Sequence, residues 1–238
     1  MNKRRNNKFY LFDNGIAFDF PWRSRAIFFF KDYTPNFEII FPKQKHTSCV
    51  LLYPDEFGNG NEIFFDGIIS FSDKVALGVK TADCLPIAFS TPDLIGIIHA
   101  GWRGLAKGII QELTQKIESL GQSMSSSYFV IGPHICGRCY NVGNDVAEIF
   151  EKLCKENNIR VNKVIRKRRK DGEIFIDLAG FACSILRNLG AKKVFVSKIC
   201  VKEDKRFFSR RRGDNHSQIS VILFSSAPRF RKRSSCVC

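Results

Sequence analysis

The sequence predicts an α/β protein built as a layered sandwich, in which mixed β-sheets are flanked by helices. Two observations support this prediction. The first half of the chain contains short apolar segments rich in β-branched and aromatic residues, separated by Asp, Gly, Pro and Asn, as is typical of strands. The second half alternates helical periodicity with further apolar segments. Many of these segments are apolar throughout, so we expect the sheets to be covered on both faces.

Ten short segments have the composition of strands. In chain order they are AIFFF (26–30), FEIIF (37–41), CVLLY (49–53), GIISF (67–71), VALGV (75–79), LPIAF (85–89), LIGIIH (94–99), YFVIG (128–132), VFVSKI (194–199) and ISVILF (219–224). YFVIG lies between the first and second predicted helices, and VFVSKI and ISVILF follow the third. This alternation is typical of an α/β layered domain. The sequence contains no internal repeat.

Three helices are predicted from apolar periodicity. The first follows Gly104, where apolar residues recur at mostly fourfold spacing until Gly121 supplies a stop. The second begins at Asn144, which is a favourable N-cap residue, and the third covers residues 177–189. We expect one globular catalytic domain over residues 1–224 and a basic, frayed tail over residues 225–238.

The formal net charge of +15 favours anionic ligands such as phosphates, nucleotides or RNA. Much of the excess lies in KVIRKRRK (163–170), KEDKRFFSRRR (202–212) and RFRKR (229–233). Nucleic-acid binding would need these segments to share a face with stacking aromatic side chains. We therefore do not expect a nucleic acid as the main partner.

The nine cysteines are scattered along the chain, and the amino terminus has no long apolar segment typical of a signal peptide. No apolar segment reaches the length of a membrane span. These features predict a cytoplasmic protein with free thiols and no membrane partner. The oligomeric state is left open.

Candidate chemistry concentrates where predicted strands meet loops. His99 ends LIGIIH, His46 precedes TSCVLLY, and Cys84 lies between two strands. Imidazole and thiolate are zinc ligands, and three protein ligands with an open position are typical of a catalytic zinc. The same residues would also serve a nucleophilic Cys84 with His99 as its base. Spacing alone does not separate the two chemistries.

Two further motifs carry reactive or charged groups. CGRC (136–139) has the spacing of a redox pair or of half a metal site, but no second C-x-x-C completes it, and we interpret the segment as a turn-rich loop. Arg103 lies at the start of a helix, where backbone amides already favour anions. FFSRRRGD (207–214) places a guanidinium cluster beside two aromatic residues, which suits a phosphate and a ring.

Five motifs occur in a fixed order: KTADCLPI (80–87), HAGWRGLAKGI (99–109), IGPHICGRCYNVG (131–143), DLAGF (177–181) and FFSRRRGD (207–214). Together they resemble the YfiH family, also described as laccase-domain or multicopper polyphenol oxidoreductase proteins. The resemblance covers roughly residues 44–224. It implies an α/β sandwich related to the catalytic domains of cytotoxic necrotizing factors. It also implies a zinc-dependent purine nucleoside phosphorylase, with adenosine deamination as a second activity.

The resemblance assigns roles residue by residue. It implies that His46, Cys84 and His99 bind zinc, or copper as the older family description has it. It implies purine nucleosides (adenosine, inosine, methylthioadenosine) and phosphate as small-molecule substrates. The residues expected to act on them are Cys84, Asp83 and Arg103 as catalytic groups, and Gln44, Arg103 and Arg211 as phosphate or substrate ligands.

The chain departs from the family pattern at four positions. Thr47 replaces the glycine that follows the first histidine, His134 replaces a cysteine, Asn141 replaces a glutamate, and Arg210 replaces a tyrosine. These departures imply a reduced or redirected activity.

Two other activities remain as alternatives. A cytosolic Cys–His hydrolase acting on peptide or cell-wall precursors would use the same three residues. A copper-dependent polyphenol oxidase is the second alternative, although four histidines are too few for the ligand set of several coppers.

Overall fold

The computed structural model describes residues 8–57, 63–167 and 172–224. Its strands are β1 (Phe9–Phe12), β2 (Gly15–Asp19), β3 (Ser24–Phe29), β4 (Ile39–Ile40), β5 (Val50–Tyr53), β6 (Gly67–Ser70), β7 (Ala76–Thr81), β8 (Leu85–Ser90), β9 (Ile95–Ala100), β10 (Tyr128–Ile131), β11 (Asn141–Val142), β12 (Ile165–Lys167), β13 (Ile174–Ile176), β14 (Lys193–Val196) and β15 (Gln218–Phe224). Its helices are α1 (Trp102–Ala106), α2 (Ile109–Ser119), α3 (Asn144–Glu156), α4 (Val161–Val164) and α5 (Leu178–Asn188), and a 3-10 turn spans Arg210–Arg212.

Two six-stranded mixed sheets form the centre of the molecule. The first has the order β1-β2-β3-β15-β7-β4, with β15 antiparallel to both of its neighbours. The second has the order β14-β10-β8-β9-β6-β5, with an antiparallel centre and a parallel pair at each edge. Strands β11, β13 and β12 form a small third sheet. The predicted layered α/β sandwich of mixed sheets is confirmed.

The layers are held together by two main apolar clusters. One lies between the two large sheets and joins Phe18, Phe28 and Leu77 of the first sheet to Ile97 and Val130 of the second. The other lies on the opposite face of the second sheet, where the helices cover it. The second sheet is therefore buried on both faces, which explains why its strands are apolar throughout.

Local details differ from the prediction. The helix predicted after Gly104 is divided into α1 and α2 at Gly108, which has φ of 86° and therefore cannot continue a right-handed helix. Asn144 is the first residue of α3 rather than its N-cap, which is Gly143. FEIIF contributes only the two residues of β4. The strands β1 and β2 and the small third sheet were not predicted, because these segments are short or mostly polar.

Within the described ranges, no helix has the length and apolar character needed to cross a membrane. The predicted basic tail, residues 225–238, lies outside the described residues, as do residues 168–170 of the first basic run.

Candidate metal centre

Three of the predicted residues meet at one end of the second sheet. Cys84 directly precedes β8, His99 is the penultimate residue of β9, and His46 lies on the loop between β4 and β5. One ligating atom from each lies within 4.8 Å of the others. Cys84 Sγ is 4.0 Å from His46 Nε2, and the two imidazole rings are 4.7 Å apart between centroids. The structure therefore brings together the triad expected from the sequence.

Pairing of β8 with β9 fixes two of these residues relative to each other. Pro86 is the register partner of His99, so Cys84 lies just beyond the end of the paired segment. The turn from β7 into β8 passes through Asp83, which has φ of 89°, a left-handed conformation that is rare for an aspartate. This turn directs the thiol of Cys84 towards the two histidines. The carboxylate of Asp83 instead bonds the Ser209 hydroxyl and the Arg211 amide.

His99 is held in one orientation by a carboxylate that the sequence analysis did not single out. Its Nδ1 lies 2.7 Å from Asp66 Oδ1, and both side chains are buried. Burial alone would lower the pKa of His99, but the bonds to Asp66 and Cys84 outweigh it and raise the pKa to about 9. Because Nδ1 is engaged by Asp66, Nε2 is the nitrogen left for a ligand.

The second oxygen of Asp66 fixes the loop that carries His46. Oδ2 accepts bonds from the Lys45 amide at 3.0 Å, the Thr47 amide at 2.7 Å and the Thr47 hydroxyl at 2.9 Å. Burial would raise the pKa of Asp66, but these bonds and the one from His99 lower it to about 2. One carboxylate thus orients the imidazole of His99 directly and holds the backbone on either side of His46. The threonine that replaces the family glycine adds a bond to this carboxylate.

Cys84 has a perturbed pKa. Burial would raise the pKa of its thiol, but the contacts with His46 and His99 lower it to about 7. Nearby imidazoles favour the thiolate, which is the form that binds metals and attacks electrophiles. The electrostatics therefore suit either of the two predicted chemistries.

Gly101 leaves the room that the triad needs. A Cβ at this position would lie 2.8 Å from Cys84 Sγ and 2.9 Å from His46 Cδ2. Only a residue without a side chain allows the thiol and the imidazole to approach each other here. The donor set of two imidazoles and one thiolate, converging beside this glycine, fits a zinc ion with an open fourth position.

Asp83 organises the loop that carries the arginines. Its Oδ1 accepts the Ser209 hydroxyl at 2.6 Å, and its Oδ2 accepts the Arg211 amide at 2.8 Å. Asp83 and Ser209 are both buried. These contacts fix the 3-10 turn Arg210–Arg212 beside the triad. The expected proton-handling role of Asp83 stays a prediction.

The three arginines of this turn have different partners. Arg211 extends over the ring of Tyr140, with 4.8 Å between its guanidinium carbon and the ring centroid, and donates from Nη1 to both oxygens of Asn141 at 2.6 Å. Arg212 is engaged by backbone carbonyls and by Asp214, and Arg210 reaches only the carbonyl of Asp214 at 3.3 Å. Arg211 is therefore the arginine of this turn whose guanidinium lies over Tyr140, the phenol whose pKa also responds to the charge of Cys84.

Tyr140 connects the arginines to the triad. Burial raises the pKa of its phenol to about 12, aided by the charge of Cys84 and opposed by Arg211 and Arg103. Arg103 itself is exposed and lies 4.5 Å over the ring of Trp102. The charges of Cys84, Arg211 and Arg103 therefore all influence the pKa of this phenol.

Gln44 and His134 are both hydrogen-bonded to the backbone. The amide of Gln44 bonds both the backbone oxygen and the backbone nitrogen of Lys80 at 2.8 Å, which ties the His46 loop to β7. A substrate-binding role for Gln44 stays a prediction. His134 is buried and bonds the Gly132 carbonyl at 2.7 Å, and burial lowers its pKa.

Asp66, Gly101 and Tyr140 are the residues that sequence reasoning missed. Gly101 and Tyr140 are part of quoted motifs, but no periodicity marks them as neighbours of the triad. Asp66 directly precedes the predicted strand GIISF, as Cys84 directly precedes the predicted strand LPIAF. Position just before a strand therefore marks Asp66 as well as Cys84.

The fold and this site define a class of protein: a two-sheet sandwich, with helices on one outer face, that carries a His–Cys–His centre at a strand edge. The family model described as multi-copper polyphenol oxidoreductase laccase matches residues 25–224. The chain therefore belongs to this laccase-like, YfiH family.

Individual relatives agree with this assignment. A purine nucleoside phosphorylase of Aquifex aeolicus is 31% identical over 198 residues, covering 82% of this chain and 88% of the relative. The protein named adenosine deaminase RL5, from an unknown prokaryotic organism, is 28% identical over 191 residues, covering 74% of this chain and 70% of the relative. The crystal structure of Bacillus licheniformis hypothetical protein YfiH superposes with a TM-score of 0.77 at 24% identity, covering 91% of this chain and 98% of that one. This last likeness concerns the fold.

Proposed function

We propose that this protein is a zinc-dependent purine nucleoside phosphorylase. The observation that carries the proposal is a metal-ligand triad with an arginine held beside it: Asp83, the neighbour of Cys84 in the chain, fixes the turn that carries Arg211, and Arg211 lies over the ring of Tyr140. Relatives named purine nucleoside phosphorylase support the same activity. The substrates would be adenosine, inosine or methylthioadenosine together with inorganic phosphate.

The reaction requires one bond to form and one to break at the sugar. A phosphate oxygen bonds to the anomeric carbon, while the bond from that carbon to the purine nitrogen breaks and its electron pair leaves with the base. The base then takes up a proton, and the products are the free purine and a sugar 1-phosphate. The demands on the protein are to hold the phosphate beside the sugar and to stabilise charge on the departing base.

Arg211 is the residue best placed to hold phosphate. It is fixed at three points: its amide by Asp83, its guanidinium by Asn141, and the face of its guanidinium by Tyr140. A guanidinium held in this way is ready to bind an oxyanion without losing much conformational freedom. Arg103 would supply a second positive charge from the start of α1.

His46, Cys84 and His99 would hold the zinc ion, which when bound supplies a Lewis acid at the substrate. The chain's own contribution is to keep these ligands in place. Asp66 orients the imidazole of His99 and fixes the loop that carries His46, and Gly101 leaves room for the thiol and the His46 ring, so the site would be formed before the metal arrives.

Adenosine deamination is a proposed second activity. The relative named adenosine deaminase RL5 supports it. In that reaction water replaces the exocyclic amine of the purine, and inosine and ammonia are released. The reaction consumes no phosphate, so it is distinguished from phosphorolysis by its products.

A Cys–His hydrolase is the second candidate function. The pKa of Cys84, lowered to about 7 beside two imidazoles, favours it. Chelation discriminates between the two functions, since a cysteine nucleophile works without metal whereas the proposed centre does not. A copper-dependent polyphenol oxidase, with copper bound at the same triad, is the third candidate function. A protein that is loaded with copper and still does not oxidise phenols would eliminate it.

The test of the proposal is product analysis. The purified protein is incubated with adenosine, with and without phosphate, and adenine, inosine, hypoxanthine and ribose 1-phosphate are separated by chromatography. We expect adenine and ribose 1-phosphate in equal amounts, and only when phosphate is present. Adenine release that does not depend on phosphate, and that continues after a chelator has removed the metal, would contradict the proposal.

A further inference from the structure

A second group of metal-ligating side chains lies outside the triad. Cys136, Cys139, Cys200 and Glu203 place one ligating atom each within 4.8 Å of one another. We propose that these four residues form a second, structural zinc site of the Cys3Glu type. The C-x-x-C of residues 136–139 is thus completed by a C-x-x-E, residues 200–203, which lies 64 positions further along the chain. This distance is too long for the two halves to form a local sequence motif.

Each half of the group is built by one tight turn. The Cys139 amide donates to the Cys136 carbonyl at 2.9 Å, and the Glu203 amide donates to the Cys200 carbonyl at 3.1 Å. A turn of this kind presents its first and fourth side chains on the same side, which is why structural zinc ligands so often have C-x-x-C spacing. Two such turns facing each other supply four ligands.

The distances agree with tetrahedral zinc. Cys139 Sγ lies 3.5 Å from Glu203 Oε1. Zinc–sulfur bonds of about 2.3 Å and zinc–oxygen bonds of about 2.1 Å give a tetrahedral edge of about 3.6 Å. The Cys136 amide donates to Cys200 Sγ at 3.3 Å, and such a bond favours the thiolate that a metal requires.

The composition of the group favours a closed zinc site over a redox pair. A disulfide uses two sulfurs, whereas here a third thiol and a carboxylate converge on the same point. Cys200 is buried, the other two cysteines are half-buried, and Glu203 is exposed. Arg138 lies 3.4 Å from the Glu203 carboxylate and offsets part of the negative charge that remains after a divalent cation binds.

The proposed zinc would join two segments that also form one wall of the first site. Cys139 immediately precedes Tyr140 and Asn141, and Glu203 lies on the segment that leads to Arg211. These segments already meet where Arg211 bonds Asn141. They meet again at a bridge between His134 and Cys200. We infer a positioning role: the second zinc stabilises the loop pair that presents Tyr140 and Arg211.

The test is the zinc content of the full-length protein and of three single variants. We expect about two zinc ions per chain in the wild type and about one in Cys84→Ala and in Cys139→Ser. Cys49→Ser is the matched control, because Cys49 is also half-buried and belongs to neither group, and it should keep both ions. X-ray absorption of Cys84→Ala should report a sulfur-rich shell with one oxygen ligand.

Glu203→Gln keeps the proposal testable if Cys139→Ser does not fold. This exposed residue tolerates the change, and the variant should lose zinc from the second site to a chelator faster than the wild type does. If the triad binds no zinc, the wild type and Cys84→Ala should each still carry one ion, and Cys139→Ser should carry none. The proposal of zinc at the triad and the proposal of zinc at the Cys3Glu group can therefore fail independently. A metal-free Cys84→Ala protein, a Cys136–Cys139 disulfide, or iron in place of zinc would overturn the inference.

Discussion

Asp66 Oδ1 lies 2.7 Å from His99 Nδ1, and the other oxygen of the same carboxylate fixes the loop that carries His46. Two of the three proposed zinc ligands therefore depend on one buried side chain. Carboxylates that hold metal-binding histidines typically change metal affinity by a factor of about 10 to 100 when they are replaced.

Asp66→Asn should weaken zinc binding at the triad by about 10- to 100-fold. The neutral asparagine side chain accepts hydrogen bonds more weakly than a carboxylate does. It therefore cannot hold the His99 imidazole, the two backbone amides and the Thr47 hydroxyl equally well. Zinc affinity is measured by competition with a chelator of known affinity. Asp19→Asn is the control, since Asp19 also pairs with a cation, Arg25, but lies far from the triad in the first sheet. Unchanged affinity in Asp66→Asn would show that the carboxylate does not orient the ligands.

Gly101→Ala should abolish zinc binding at the triad. The added methyl group would lie 2.8 Å from Cys84 Sγ, so the thiol or the imidazole must move away. The control is Gly121→Ala, where φ of 73° imposes a backbone strain of about 1–2 kcal/mol but nothing lies within 4 Å of the new Cβ. Zinc analysis and thermal unfolding of both variants separate loss of the site from loss of stability. Full zinc binding by Gly101→Ala would contradict the described arrangement.

Arg211→Ala should raise the KM for phosphate by about tenfold or more while changing the KM for adenosine little. The reason is that a fixed, charge-assisted contact to an oxyanion is worth about 1.5–3 kcal/mol. Arg210→Ala is the matched control, because Arg210 is the neighbouring exposed arginine and bonds only the Asp214 carbonyl. Steady-state kinetics with phosphate as the varied substrate provide the measurement. An equal effect of both substitutions would remove Arg211 from the phosphate site.

Ser209→Ala should destabilise the fold by about 1–3 kcal/mol and also raise the KM for phosphate. It leaves Asp83 Oδ1 buried without its 2.6 Å partner and loosens the turn that carries Arg211. Ser90→Ala is a matched control, since Ser90 and Ser24 form another buried hydroxyl bond of 2.6 Å in the sheet interior. Urea unfolding should show similar losses in both variants, whereas only Ser209→Ala should affect phosphate. A KM effect in both would reduce the role of Ser209 to general stability.

Much of the fold could be predicted because apolar periodicity reports burial. The strands of the second sheet, buried on both faces, and the amphipathic α3 and α5 were all recognised in the sequence. The edge strand β1 and its neighbour β2 were missed, and β4, at the other edge of the same sheet, is shorter than expected. Their residues alternate less clearly, because pairing across the sheet rather than their own composition decides where they lie.

The site was predictable only in part, for a related reason. Cys84 and His99 lie on neighbouring strands, and their position at strand ends marked them. Asp66 and Tyr140 reach the site through tertiary contacts, the first beside His99 and the second beneath Arg211. The Cys3Glu group was not predicted because the corresponding residues of its two halves are 64 positions apart in the sequence.

The proposed function places phosphate-dependent release of a purine base at the His–Cys–His centre. Its most direct test is the initial rate of adenine release from adenosine and phosphate, compared among the wild type, Cys84→Ala and the thiol control Cys49→Ser. We expect phosphate-dependent release by the wild type and by Cys49→Ser, and none above background by Cys84→Ala. Adenine release by Cys84→Ala at the wild-type rate would contradict it and would place the chemistry elsewhere in the molecule.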